Sequence, residues 1–289
     1  MRAASIRPAF CVRVTRMASM LMPPAELAER LRRAGGPCVL DARPASRFAA
    51  GHIPGALHLD PFGISLIDSR PAPLRAWEWV MQHLFELRGV IREQPVVVYE
   101  DDSGMRAARL VWALALFGHP DARLVDGGFR RWRSEGLAIE REAAAEPSAA
   151  STFVVARNPE VMATVEDVLD ALGRRDVAIV DVRSRAEHTG ALVRAARGGA
   201  IPGAVHLEYT ANLTPDGRFR EPSELRSMYE ALGVTSDREV ITYCQGGYRA
   251  AQSWIALRVA GYRRVRSYVG SWNEWGNRTD LPIARPHGT

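Results

Sequence analysis

Cys244 is the residue best placed to do chemistry, and the residues around it say which kind. It is followed by Gln245, Gly246, Gly247, Tyr248 and Arg249. Before it runs Val240-Ile-Thr-Tyr243, whose residues have strand propensity. From Arg249 onward the apolar spacing becomes helical, with Ala251, Trp254, Ile255 and Val259 on one face. Gly246 and Gly247 permit a tight turn between the two. A thiol therefore stands at a strand end and a helix start. Loop N–H groups and the positive end of the helix dipole converge there, which is where a thiolate is stabilised. The competing reading is a small, buried and inert cysteine, the usual state of a free thiol.

The elements that must position this loop occur twice. A helix is expected over 24–33, followed by a short strand over 38–41 that ends on Asp41. After Gly51-His-Ile-Pro-Gly-Ala comes a longer helix over 73–90, a strand over 94–99, a helix over 106–117 and a strand at 123–125. The same order then recurs. Val177 to Asp181 matches 38–41, and Arg183 matches Arg43. Ile201-Pro-Gly-Ala matches Ile53-Pro-Gly-Ala, and His206 matches His58. Arg249-Ala-Ala matches Arg106-Ala-Ala, with a glycine twelve positions later in both. Val269-Gly-Ser-Trp-Asn-Glu-Trp275 matches Asp126-Gly-Gly-Phe-Arg-Arg-Trp132. This is a duplicated unit of about 120 residues rather than a short-period solenoid. Strands alternating with helices make each unit an α/β domain on a small parallel sheet flanked by helices.

The expected division is an N-terminal extension at 1–22, read as disordered, a first domain at 23–141, a linker at 142–159 and a second domain at 160–289. The extension carries Arg2, Arg7, Arg13 and Arg16 and no acid. An organelle transit peptide has that composition. Met17, Met20 and Met22 before the first helix favour an upstream start or a disordered tail instead. The linker has an Ala-, Glu- and Ser-rich composition, and Phe153-Val-Val after it is expected to pack back on a domain.

The duplication is an internal control. Where the second copy has Tyr243-Cys244, the first has Tyr99-Glu100, with a loop one residue longer. A carboxylate cluster cannot do thiolate chemistry, so the first copy is expected to be structural. Asp41, Arg43 and His58 recur as Asp181, Arg183 and His206, which favours structural roles for all of them. Trp272 and Trp275 are expected to wall the core beside the loop.

Composition narrows the alternatives. The chain has 289 residues, 47% apolar and 25% charged, which suits about two soluble domains. The net charge is +5, and all 38 basic residues are arginine. They are interleaved with acids, and no basic stripe argues for nucleic acid. No apolar run approaches the roughly 20 residues of a membrane span. Cys11, Cys38 and Cys244 are widely spaced, so neither a metal site nor a disulfide framework is expected, and a cytoplasmic location fits. Cys38 reads as a core residue.

Taken together, Gly51-His-Ile-Pro-Gly-Ala, Asp126-Gly-Gly-Phe, Asp181-Val-Arg183, Ile201-Pro-Gly-Ala, Cys244-Gln-Gly-Gly-Tyr-Arg249 and Gly270-Ser-Trp-Asn-Glu-Trp-Gly276 closely resemble the tandem rhodanese family, the thiosulfate and 3-mercaptopyruvate sulfurtransferases. The match covers residues 24–285. It implies an inactive domain first and a catalytic one second. It also implies that Cys244 takes the sulfane sulfur of thiosulfate as a persulfide and passes it to cyanide, a small thiol or a sulfur-accepting protein, with no cofactor. Backbone N–H groups of residues 245–250 would stabilise the thiolate and then the persulfide. Arg249 would either bind the donor anion or brace the loop through a carboxylate, and the repeated Arg106 favours bracing.

Two departures from the family pattern matter. The best-known members carry an arginine six residues after the acid matching Asp181, and here that position is Glu187. This leaves Arg249, Arg185 and an insertion eight residues longer than its counterpart, with Arg194 and Arg197, as candidates for the donor anion. The hydroxyl-bearing loop of the mercaptopyruvate type is also missing, which disfavours that donor. A cysteine phosphatase would need five residues between Cys and Arg, and here there are four. A non-enzymatic sulfur relay or binding module is the remaining alternative from a different class.

Overall fold

The computed structural model describes residues 20–142, 144, 147 and 150–286. Cys11, most of the expected extension and part of the expected linker lie outside the described residues. The first repeat comprises β1 (Leu21–Met22), α1 (Pro24–Leu31), β2 (Cys38–Asp41), α2 (Ala45–Ala50), β3 (Leu57–His58), α3 (Pro71–Leu87), β4 (Val96–Tyr99), α4 (Met105–Leu116), β5 (Ala122–Val125) and α5 (Gly128–Ser134). The second comprises β6 (Met162–Ala163), α6 (Val165–Ala171), β7 (Val177–Asp181), α7 (Arg185–Thr189), β8 (Val205–His206), α8 (Pro222–Glu230), β9 (Glu239–Tyr243), α9 (Tyr248–Val259), β10 (Val265–Tyr268) and α10 (Ser271–Trp275).

Each repeat forms one parallel five-stranded sheet, ordered β1-β5-β4-β2-β3 and β6-β10-β9-β7-β8. The two α/β sheets flanked by helices are those expected. The central strands read as unbroken apolar runs because helices cover both faces of a parallel sheet. Val96 to Tyr99 and Val240 to Tyr243 are all buried.

Three differences from the sequence reading have physical causes. Leu21 and Met22, assigned to the extension, pair with Leu124 and Val125, and Met22 is fully buried. The first sheet thus recruits the end of the segment as its edge strand. The longer helix begins at Pro71 rather than 73, with Pro71 at a first-turn position where the missing N–H costs nothing. Third, α9 was expected to bury one face and buries nearly all of them. Only Arg249, Arg258 and Val259 escape full burial within it. The reason is α4, whose own residues 107–114 are all buried and which packs against α9 across the boundary between repeats. Alanines 107, 108, 250, 251 and 256 are all buried within the two helices. The loops of β4–α4 and β9–α9 are thereby brought to one shared interface.

The linker half that is described packs on the first repeat. Ala156 and Asn158 donate backbone hydrogen bonds to Phe117 and Leu116. Phe153 is buried edge-on against Phe85, whereas Val154 points out. A second tie crosses the boundary at Ser69. Its N–H and hydroxyl donate to Glu274 Oε1 at 2.7 and 3.0 Å, and its Oγ accepts Val165 N–H at 2.9 Å.

Candidate active site

Cys244 directly follows β9 and is 1% exposed. Gly247 caps α9 at φ +87°, a left-handed conformation that glycine tolerates best. This turn aims the Gly247 N–H at Cys244 Sγ, 3.1 Å away. The sulfur thus lies at the start of a twelve-residue helix, where N–H groups have no intrahelical acceptor and the dipole favours an anion. By contrast, burial pushes the Cys38 thiol up to about 12, and that residue, expected within the core, is half-buried against it. The two are free thiols among the described residues.

Ser271 holds the other side of the loop and was missed by the sequence reading. Its Oγ accepts the Cys244 N–H at 3.2 Å and donates to the Tyr268 carbonyl at 2.8 Å. It does so at φ +51°, the lone non-glycine residue with positive φ among the described residues. Its counterpart in the first repeat is Gly128, at φ +57°. A serine accepts a conformation worth on the order of 1 kcal/mol of strain where its hydroxyl fixes the cysteine's backbone. The aligned Gly-Gly and Gly-Ser pairs carried that signal. Gln245 completes the rim, with its Nε2 donating to Asn273 Oδ1 at 2.6 Å and to the Arg194 carbonyl at 3.0 Å. Tyr248 donates its hydroxyl to the Pro61 carbonyl of the first repeat at 2.6 Å. Gly246 faces Ser65 of the same segment and Asn273, and a Cβ there would stand 3.1 Å from each.

The arginines separate clearly. Arg249 makes a bidentate pair with Glu187, Nη1 to Oε2 at 2.7 Å and Nη2 to Oε1 at 2.9 Å. Burial alone would raise the Glu187 carboxyl, but the Arg249 guanidinium and the Ser184 cap outweigh it and hold the group at about 2. Glu187 at the position of an expected arginine is thus the acid that pairs Arg249. Arg194 is exposed and places Nε 3.5 Å from Glu187 Oε1. Arg185 is exposed at the first position of α7. Arg197 does not fit the donor-anion role expected of it. Its Nη1 donates to the Leu281 carbonyl at 2.9 Å, and its Nη2 to those of Trp275 at 3.0 Å and Arg278. The insertion uses this guanidinium to staple itself to the C-terminal segment.

Asp181 and Arg183 form a buried ion pair below the loop, with Arg183 Nη2 2.6 Å from Oδ2 and 2.7 Å from the Gly199 carbonyl. Tyr243 donates its hydroxyl to Asp181 Oδ2 at 2.7 Å. Burial opposes ionisation of Asp181, but His188, Arg183 and Tyr243 hold it at about 2. Asp41, Arg43 and Tyr99 repeat the pattern, and His58 and His206 each bond the carbonyl of the matching arginine at 2.8 Å. Trp272 lies under Arg183, 4.3 Å from ring centroid to guanidinium, and both Trp272 and Trp275 are buried as expected.

In the first repeat the loop is filled by the protein itself. Glu100 Oε1 accepts the N–H groups of Arg106 and Ala107 at 2.7 and 3.2 Å. Arg106 pairs with Asp60 rather than with a residue matching Glu187. Burial raises the Glu100 carboxyl to about 8, with nearby Asp102 adding to the rise. An unfolded glutamate releases its proton near 4.5. Between those values the native state holds the extra proton, so stability falls as pH rises, by at most about 1.4 kcal/mol per unit. Glu100→Gln is therefore expected to unfold with a flatter pH dependence between pH 5 and 8. Parallel stability curves for the two proteins in urea would refute this.

The model of the rhodanese-like domain matches residues 23–135 and 164–278, one match on each repeat. The chain belongs to the rhodanese family. Relatives of this rhodanese include the thiosulfate sulfurtransferase of Pseudomonas aeruginosa, 36% identical over 267 residues that span 91% of this chain and 96% of that protein. The thiosulfate sulfurtransferase of Azotobacter vinelandii is 37% identical over 265 residues, with the same two coverages. The sulfur carrier protein TtuD of Thermus thermophilus is 34% identical over 253 residues, 82% of this chain and 87% of that protein. Among solved structures, YnjE superposes with a TM-score of 0.77 at 25% identity, covering 96% of this rhodanese and 71% of that chain. An anaerobic ergothioneine biosynthesis enzyme from Chlorobium limicola does so with a TM-score of 0.78 at 23% identity, covering 93% and 70%. This kinship places the chain among sulfurtransferase enzymes. No helix among its described residues is long and apolar enough to cross a membrane. Those residues also hold no cluster of metal-ligating side chains.

Proposed function

We propose that this rhodanese is a thiosulfate sulfurtransferase that carries sulfur on Cys244 in a ping-pong cycle. The observation that carries the reading is the Gly247 N–H on Cys244 Sγ, in a loop whose Cys-free twin is filled by Glu100. The scaffold is built twice, and a sulfur nucleophile stands in one copy, so the second repeat is the catalytic domain and the first, with its edge strand Leu21–Met22, the inactive partner. The Cys244 thiolate attacks the outer sulfur of thiosulfate. An S–S bond forms, the bond to the sulfonate sulfur breaks, and its electron pair leaves with sulfite. Cyanide or a thiolate then attacks the terminal persulfide sulfur, leaving as thiocyanate or a new persulfide and returning the thiolate of Cys244. The cycle balances without a metal or a redox cofactor.

The loop N–H groups stabilise the anionic sulfur in both half-reactions. Exposed Arg194, beside the rim residue Gln245, is the cation that meets the donor's sulfonate, with exposed Arg185 on α7 as the second candidate. Arg249, tied to Glu187, braces the loop. A free thiol of this kind suits a reducing cytoplasm. The relationship to a sulfur carrier protein supports a protein as one acceptor. The test is steady-state kinetics with thiosulfate and 3-mercaptopyruvate side by side, together with intact mass after thiosulfate alone. The expected result is a higher kcat/KM for thiosulfate and a gain of one sulfur atom on Cys244. A preference for 3-mercaptopyruvate, or no mass gain, would overturn the donor.

A further inference from the structure

Arg109 lies on α4, in the repeat that has no catalytic cysteine. It is 1% exposed, and all three of its guanidinium nitrogens are buried without a hydrogen-bond partner. No other described arginine has all three in that state. Its guanidinium rests among rings, 4.5 Å from Trp112, 4.9 Å from Trp77 and 5.5 Å from Tyr248. Aromatic faces recover part of the cost of burying a cation but supply no negative charge.

What this cation faces is the catalytic loop. A Cβ on Gly247 would stand 2.7 Å from Arg109 Nη1, so the glycine that gives its N–H to Cys244 Sγ is also the residue on which Arg109 presses. Tyr248 of α9 is the titratable ring packed on Arg109, and Cys244, three residues before Gly247 in the same loop, is the other titratable group that its charge reaches. Burial pushes the Tyr248 phenol up, so it stays neutral. The other cation acting on Cys244 is Arg249, and Glu187 already neutralises it. Glu187 also lies 3.5 Å from exposed Arg194, so it serves both rim arginines, whereas Arg109 is the buried cation at the loop with no carboxylate partner.

The duplication again supplies a control. Arg109 lies three residues after Arg106, and the position three after Arg249 is Gln252. Gln252 is neutral, and its Oε1 accepts from Asn212 at 3.0 Å. The helix that follows the Cys loop carries an amide at this position, and the helix lent by the other repeat carries the charge.

Resting on the sulfur-carrier reading of Cys244, we infer that Arg109 is the counter-charge of the Cys244 sulfur, a positioning residue through which the inactive repeat sets the reactivity of the active one. It touches neither donor nor acceptor. It favours the anionic forms of the sulfur, thiolate and persulfide alike, from behind the loop.

The test is site-resolved alkylation of Cys244 by iodoacetamide as a function of pH, in wild type and in Arg109→Met, Arg109→Gln and Arg109→Lys. The neutral variants are expected to react about tenfold more slowly at pH 7, with the profile moved up by about one pH unit, and Arg109→Lys to keep most of the wild-type profile. A wild-type profile in a folded Met or Gln variant overturns the inference. So does loss of the fold in both, because a cation without a bonded partner is expected to be dispensable to folding. The measurement needs no thiosulfate. A wild-type protein that fails to transfer sulfur yet shows the Arg109-dependent profile would sink the donor assignment alone.

Discussion

Cys244→Ser is expected to fold as wild type and to lose at least about a thousandfold in thiosulfate:cyanide sulfurtransfer. The fold survives because the scaffold does not need the sulfur. The first repeat builds the same strand, turn and helix around Glu100, and a serine Oγ can accept the Gly247 N–H that Sγ now accepts. Activity is lost because the hydroxyl does not ionise near neutral pH and forms no persulfide. Two measurements check this. Thiocyanate production gives the rate, and intact mass after thiosulfate shows whether sulfur is retained. Undiminished thiocyanate from the folded variant would end the Cys244 mechanism.

Glu187→Gln is the second large effect, and it bears on how Arg249 works. The pair is bidentate and Glu187 is 1% exposed, so the variant leaves a largely buried guanidinium without its charge partner. Breaking such a pair costs about 3 kcal/mol. The sign with pH follows from the carboxyl being held at about 2 against an ordinary 4.5. A depressed carboxylate stabilises the native state above the unfolded value, and the gain is lost as pH falls toward the folded one. The stability deficit of the variant should therefore be full at pH 7 and shrink between about 4.5 and 2. Kinetically, bracing predicts a roughly tenfold to hundredfold fall in kcat with little change in the KM for thiosulfate. A lower KM in the variant would mean that the freed Arg249 grips the donor, and the bracing role would fail.

The sequence was legible wherever the duplication could be read against itself. Tyr99-Glu100 set against Tyr243-Cys244 picked out the loop, and the recurrence of Asp41 with Arg43 and of His58 picked out structural pairs. Local signals reached no further than one repeat. Arg109 sits in an apolar helix 135 positions before Cys244, and only the packing of α4 on α9 brings the two together. Ser271 was visible as a departure from Gly128, but its positive φ and its bond to the Cys244 N–H are properties of the folded chain. Arg197 misled because an arginine in an insertion beside an active loop looks like a ligand for an anion. Three carbonyls of the C-terminal segment claim it instead. The edge strand Leu21–Met22 is too short to announce itself, and its pairing with β5 makes it a strand.

The packing of α4 on α9 also bears on synthesis. Ribosomes deliver the first repeat before the second, and domains generally form in that order. Until α9 arrives, α4 presents an uncovered apolar flank holding a stranded arginine, and α9 has almost no polar side of its own to offer water. Large uncovered apolar patches invite aggregation. The first half thus offers the surface on which the second completes its core, and the two cannot be parted into independent proteins without exposing the seam.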